Sequence, residues 1–112
     1  MSRKKSSGKK PAKKQGKNNS LRIIAGEWRG RKLQFPDLPG LRPTPDRVRE
    51  TLFNWLSAYI PGARCLDLFT GSGALGFEAL SRGALNVTLV DNSPEVIHQL
   101  RQNIQTLKTQ RV

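Results

Sequence analysis

The sequence predicts an α/β fold, doubly wound, with parallel strands. Two observations predict it. Beyond residue 44, segments of helical and of strand character alternate in the order helix, strand, helix, strand, helix. Between the first of those strands and the helix that follows it lies a glycine-rich turn, in "LDLFTGSGALGFEAL" at 66–80.

The elements follow in order. "LRIIAGEWRGRKLQFP" at 21–36 reads as two short strands around a Gly-containing turn, Ile23 and Ile24 beginning one and Lys32 to Phe35 forming the other. Pro and Gly residues at 36–43 form a loop. Thr44 followed by Pro45 is a helix start, a hydroxyl cap and then Pro at the first helical position. Val48, Leu52, Trp55, Leu56 and Tyr59 recur at helical spacing as one apolar stripe, and Pro61-Gly62 stops that helix. "ARCLDLF" (63–69) has the apolar run of a buried strand. "ALGFEALSR" (74–82) is a helix ended by Gly83, which suits a left-handed cap. "NVTLVD" (86–91) is the second strand. Ser93-Pro94 repeats the cap-plus-Pro signal, and Val96, Ile97, Leu100, Ile104 and Leu107 form the stripe of the last helix. His98 falls on its opposite face and is expected to be exposed, with no catalytic role.

Charge divides the chain. Residues 1–20 hold eight Lys/Arg and no acid, hence +8; the rest holds twelve Lys/Arg against eight acids, hence +4 of the net +12. A Lys-rich tail that can bury no apolar surface is expected to be disordered over 1–20. It serves either as a solvated tail or as an electrostatic arm for nucleic acid. Were all eight charges to neutralise phosphates, log affinity would fall against log salt with a slope of about −6 to −7. The excess favours polyanions: RNA, DNA or an anionic membrane. Residues 21–40 form a basic hairpin, where Arg22, Arg29, Arg31 and Lys32 lie beside Trp28 and Phe35. Two readings are open: a phosphate-and-base surface, or a hairpin whose Trp packs on the next helix while its arginines face water.

The tail has no apolar core of a secretory signal and no amphipathic period. No apolar run approaches the ~20 residues that cross a bilayer. One cysteine, Cys65, excludes an internal disulfide and fits a reducing cytosol; it is expected to be a small buried side chain in a strand. A cytoplasmic protein without a metal is expected.

Gly71, Gly73 and Gly76 match G-x-G-x-x-G. The match follows a predicted strand, opens a helix, and precedes an acid, Asp91, that ends the next strand. Glycines let the backbone approach a ligand, the helix N-terminus offers free N–H groups, and the acid accepts from both ribose hydroxyls. Dinucleotide and S-adenosyl-L-methionine (SAM) sites share this layout. Asp67, inside the first strand, discriminates between them: a pyrophosphate repels an acid there, whereas the cationic amino and sulfonium groups of SAM welcome it. That favours SAM. A dinucleotide, or a turn that merely packs helix on sheet, are the other readings.

"DLFTGSGALGFEALSR", with "GEWRGRKL" and "RPTPDRVRETLFNWL", resembles the bacterial 16S ribosomal RNA guanine-N2 methyltransferases, the RsmD family, over residues 21–112. The resemblance implies a Rossmann-like SAM-dependent methyltransferase fold, three-layered with a mostly parallel sheet, of which 41–112 would be the N-terminal half. It implies methylation of the exocyclic amine of one guanine in 16S rRNA, free or in the assembling small subunit, by a monomeric enzyme. By the same resemblance Asp67, Gly71 and Gly73 would line the methionine end of SAM, Asp91 would bind the ribose, and Asn92 would lie near the adenine. The Arg42-Pro43-Thr44 loop and the helix start at Arg47 would close over the cofactor. Arg29 and Arg31 would contact RNA.

Family members continue for roughly as many residues again and carry an Asp/Asn-Pro-Pro-aromatic motif, which holds the weakly nucleophilic amine and stacks on the flipped base. No Pro-Pro occurs in these 112 residues. The chain is therefore expected to be a fragment cut after its second core strand and helix, without catalytic residues and inactive alone. Two other functions are open. One is a non-catalytic RNA-binding protein or remnant with a vestigial glycine turn. The other is a short-chain dehydrogenase fragment, which would need a Tyr and a Lys downstream; Tyr59 precedes the glycines and reads as core.

Overall fold

The structure, a computed structural model, describes residues 19–112. The expected disorder of the tail falls outside the described residues, except that Ser20 already belongs to a strand. The elements are β1 (Ser20–Arg22), β2 (Lys32–Gln34), α1 (Asp46–Trp55), β3 (Arg64–Asp67), α2 (Ala74–Ser81), β4 (Asn86–Leu89) and α3 (Pro94–Leu107). β1 and β2 pair antiparallel, with Leu21 opposite Leu33. β3 and β4 pair parallel, with Cys65 opposite Val87 and Asp67 opposite Leu89. The first hairpin strand thus ends before Ile23 and Ile24, which had been expected to begin it. Ile23 still donates its N–H to the Arg31 carbonyl at 2.9 Å, closing the hairpin's turn.

α2 is the centre of the molecule. Seven of its eight residues are buried, as befits a helix covered on all sides. One side packs on the parallel pair. There Gly76 permits the close approach: a Cβ would stand 2.3 Å from Leu89 Cδ2 and 3.2 Å from Val87 Cγ1. Gly83, at φ 107°, provides the left-handed turn after the helix.

The other side of α2 carries the hairpin. Glu27 N–H donates to the Ser81 carbonyl at 2.7 Å, Trp28 N–H to Ser81 Oγ at 2.9 Å, and Ser81 Oγ–H to the Ala25 carbonyl at 2.6 Å. Gly26, at φ 88°, lies so near that a Cβ would meet the Ser81 carbonyl oxygen at 1.9 Å. Trp28 is 6% exposed, and Phe35 is buried as well. Of the two readings of the hairpin, the aromatics take the packed one. The Arg111 guanidinium lies 5.5 Å over the Trp28 ring.

At the core of this junction lies a charge. Glu78 is 0% exposed in the middle of an apolar helix. Its carboxylate accepts from Ile24 N–H (2.9 Å), Ala25 N–H (3.1 Å), Arg49 Nη1 (3.2 Å) and Arg82 Nε (2.8 Å). Arg49, 1% exposed, also donates to the carbonyls of Thr44 and Arg22 and pairs with Asp46. Hairpin, α1 and α2 meet at these two residues.

They also change the reading of α1. The face expected in the core, Val48, Trp55 and Tyr59, is exposed, Trp55 to 75% and Tyr59 to 74%; Leu52 and Leu56 are half-buried. The buried residues are Arg49 and Phe53, one turn apart. The ion pair with Glu78 draws the Arg49 face inward, and Arg82 lies 5.1 Å over the Phe53 ring. Nor does Thr44 cap α1 with its hydroxyl. Pro45, extended at ψ 152°, is the N-cap itself, helix starts at Asp46, and the Thr44 carbonyl receives Arg49 instead.

α3 matches its sequence signal: the Ser93 hydroxyl accepts from Val96 N–H, Pro94 opens the helix, and Val96, Leu100 and Leu107 are buried. Asn103 donates to the Gln34 carbonyl at 2.8 Å and ties α3 to the hairpin. β3 is less covered than its apolar run suggests. Leu66, Leu68 and Phe69 are exposed, while α2 packs on the pair. Cys65, half-buried in β3, has its thiol pushed above the ordinary value by burial. Beyond α3 the chain returns beside β4, where the Arg111 carbonyl accepts from Val87 N–H at 2.7 Å.

Breaking a buried ion pair costs about 3–5 kcal/mol. Glu78→Ala is expected to lower the unfolding free energy in urea by that amount or to leave the chain unfolded, while Glu50→Ala on the exposed side of α1 changes it by less than about 0.5 kcal/mol.

Candidate functional site

The parallel pair brings two acids to one edge. Asp67 is the last residue of β3, and beyond the strand ends the ladder continues, Val90 N–H donating to the Asp67 carbonyl (2.9 Å) and Thr70 N–H to the Val90 carbonyl (3.0 Å). Asp91 therefore emerges beside the glycine turn. Its carboxylate joins two segments: Oδ2 accepts from Gly71 N–H and Oδ1 from Ser93 N–H, each at 3.0 Å. A carboxylate has about four acceptor positions, so two remain for further donors. Ligands in open α/β sheets bind at this carboxyl end of the strands.

The glycines divide the work. Gly71 (φ 53°) and Gly73 (φ 84°) hold backbone conformations that L side chains rarely adopt. Gly71 faces the loop before α1, where a Cβ would stand 3.0 Å from Leu41 Cδ1. Gly73 faces inward, where a Cβ would meet the Phe77 ring at 2.6 Å. Gly73 N–H closes the turn onto the Thr70 carbonyl at 2.9 Å.

Two cavities flank the turn. One, of about 190 Å³, is lined by Asp67, Phe69, Thr70, Gly71, Ser72, Ala74 and Leu75, with Gly40, Leu41, Arg42 and Thr44 opposite. The Asp67 carboxylate has no hydrogen-bond or ion-pair partner among the described residues. The second, of about 440 Å³, opens beyond Asp91 and is lined by Asn92, Ser93, Pro94, Ile97, His98 and Arg101. Thr44, Asp67 and Gly71 thus share one cavity, and Asp91 and Asn92 share the next; Gly73 lines neither. His98 is exposed, as expected, 3.2 Å from Gln102.

A family model described as "Conserved hypothetical protein 95" matches residues 21–112. The chain belongs to that family. Within the family's reach, the chain is 62% identical over 91 residues to the ribosomal RNA small subunit methyltransferase D of Escherichia coli K12. It is 61% identical over 88 residues to the protein of that name from Haemophilus influenzae, and 43% over 88 to a putative rRNA methyltransferase of Bacillus subtilis. Those matches take in 81%, 79% and 79% of this chain but 46%, 46% and 48% of the relatives. The chain spans about half the length of the curated relatives it matches. Among solved structures, a putative methyltransferase of E. coli superposes with a TM-score of 0.76 at 55% identity, covering 82% of this chain and 49% of that one. A putative methylase of H. influenzae gives 0.63 at 56%, covering 80% and 46%. These neighbours place this family chain in a methyltransferase fold.

The hairpin's basic residues lie outside both cavities. Arg29, Arg31 and Lys32 are exposed; Arg31 donates to the Thr106 carbonyl at 3.2 Å, and Arg22 pairs with Asp46 at 3.5 Å. Among the described residues no group of three or more His, Cys, Asp or Glu could hold a metal, and no helix is long and apolar enough to cross a membrane. Pattern reading missed the Arg49–Glu78 pair. Its signal was a lone acid within "ALGFEALS".

Asp91→Ala removes the acceptor for two backbone N–H groups. It is expected to lower stability by about 1–3 kcal/mol, with Asp91→Asn intermediate, measured by urea denaturation.

Proposed function

We propose that this chain is the cofactor-binding half of a SAM-dependent methyltransferase, and that the whole protein methylates the exocyclic N2 amine of a guanine in 16S rRNA. The observation that carries the cofactor reading is the unpartnered Asp67 carboxylate in a cavity of the glycine turn, one strand from an Asp91 carboxylate with acceptor positions to spare. A lone acid suits a ligand bearing an ammonium and opposes a pyrophosphate. The 62% identity to a ribosomal RNA methyltransferase supports the substrate class.

SAM supplies a methyl group on a positively charged sulfur. The chain's own residues bind and orient it. Asp67 receives the amino group, Gly71 allows the backbone to approach, and Asp91 accepts hydrogen bonds from the ribose hydroxyls while keeping its own bonds to Gly71 and Ser93. Asn92 borders the purine. The loop that ends at Thr44 covers the methionine end, held from behind by Arg49. The groups that align the guanine amine are expected outside these 112 residues, so this chain alone binds without transferring.

S-adenosylhomocysteine is expected to raise the melting temperature of the chain, and Asp67→Asn to weaken its binding about 10-fold or more, measured by calorimetry. Equal affinity in the variant would overturn the assignment of Asp67. The exposed hairpin is the proposed RNA contact. Arg29→Ala with Arg31→Ala is expected to weaken binding of 16S rRNA fragments and to reduce the slope of log affinity against log salt by about 1.5. An unchanged slope would move the RNA surface elsewhere.

A further inference from the structure

The register of the hairpin sets two cations face to face. Arg22 of β1 is the partner of Lys32 of β2. Residues directly opposite in an antiparallel pair project from the same side of the sheet, where like charges destabilise it. Both are exposed. Both line a cavity of about 240 Å³ between the hairpin and the start of α1, together with Pro43, Thr44, Asp46 and Arg49. Little in the protein relieves the repulsion. Lys32 has no hydrogen-bond or ion-pair partner among the described residues. Arg22 pairs with Asp46 at 3.5 Å, but both side chains of that pair are more than half exposed, and such a pair contributes little. Asp46, the one acid lining the cavity, is shared with Arg49, whose guanidinium is already bound to Glu78 and to the carbonyls of Thr44 and Arg22.

From this we infer that the cavity is a phosphate site for the substrate RNA, with Arg22 and Lys32 clamping one phosphodiester between them. The inference rests on the RNA reading above and adds to it a contact distinct from Arg29 and Arg31. A phosphodiester accepts a charge-assisted hydrogen bond from each cation, and its charge turns their repulsion into shared attraction. Such a contact reads no base; it fixes where the backbone lies. The place is informative, because Thr44 lines this cavity and also the one that holds Asp67. An RNA strand held here runs over the Arg42-Pro43-Thr44 loop, beside the cavity proposed for the cofactor.

Binding of 16S rRNA fragments to the full chain, measured across a range of salt, tests it. Arg22→Gln with Lys32→Gln is expected to weaken binding about 10-fold. It is also expected to lower the slope of log affinity against log salt by about 0.7, the loss of one phosphate contact on a single strand. Arg22→Lys with Lys32→Arg keeps both charges and is expected to keep the slope. Lys32→Glu turns the like-charge pair into an ion pair. It is expected to raise the melting temperature of the chain while lowering RNA affinity, a combination that a purely structural Lys32 would not give. An unchanged slope in the Gln double variant, or a lower melting temperature for Lys32→Glu, would overturn the inference. A slope loss of about 1.4 would assign the two cations to separate phosphates and overturn the clamp. Were the Gln double variant to keep its slope while Arg29→Ala with Arg31→Ala reduced it, the RNA reading would stand without this site. A chain that binds no rRNA fragment would overturn both.

Discussion

A carboxylate without water must find its hydrogen bonds in the protein, and Glu78 finds four donors on three elements. Desolvating such a charge is expensive, and only full satisfaction makes it tolerable. That requirement fixes the Ile24-Ala25 turn of the hairpin against α2. It brings α1 in through Arg49 and orients Arg82 over Phe53. The small residues beside it serve the same end, since Gly26 and Ser81 allow the hairpin backbone to reach the helix.

The candidate site inherits this rigidity. α2 is the helix the glycine turn opens, and its other side is held close to β4 by Gly76. The parallel register then fixes where Asp67 and Asp91 emerge. Arg49 reaches the opposite wall as well, because its Nε binds the Thr44 carbonyl at 3.1 Å. One buried pair thus supports the hairpin that presents the basic surface and the loop that faces the glycine turn. A polar network of this kind confers a unique arrangement only while every member is satisfied.

Legibility in the sequence followed the reach of each signal. The strand, glycine turn, helix and second acid were readable because their constraints are local: Gly71 and Gly73 need positive φ, and Ser93-Pro94 caps its own helix. The stripe of α3 was readable because one side of that helix packs on the hairpin. α1 misled because periodicity reports which face is apolar, not which partner arrives. The Arg49 face went inward under a charge 29 residues away, and Trp55 and Tyr59 stayed outside. The hairpin's aromatics offered two uses, and contact with α2 chose packing. The solitary acid in α2 was visible with Arg82 four residues on, but its other three donors come from the hairpin turn and α1, which no local pattern reveals.

The measurement that tests the central claim most directly is amide hydrogen exchange by NMR, residue by residue, with and without S-adenosylhomocysteine. Slow exchange is predicted at Ile24 and Ala25 in both conditions, at the level of the α2 amides, with ligand adding protection at Gly71 and Ser93. Fast exchange at Ile24 and Ala25 would contradict the anchoring of the hairpin by Glu78. Ligand protection confined to residues away from the glycine turn would contradict the site built upon it.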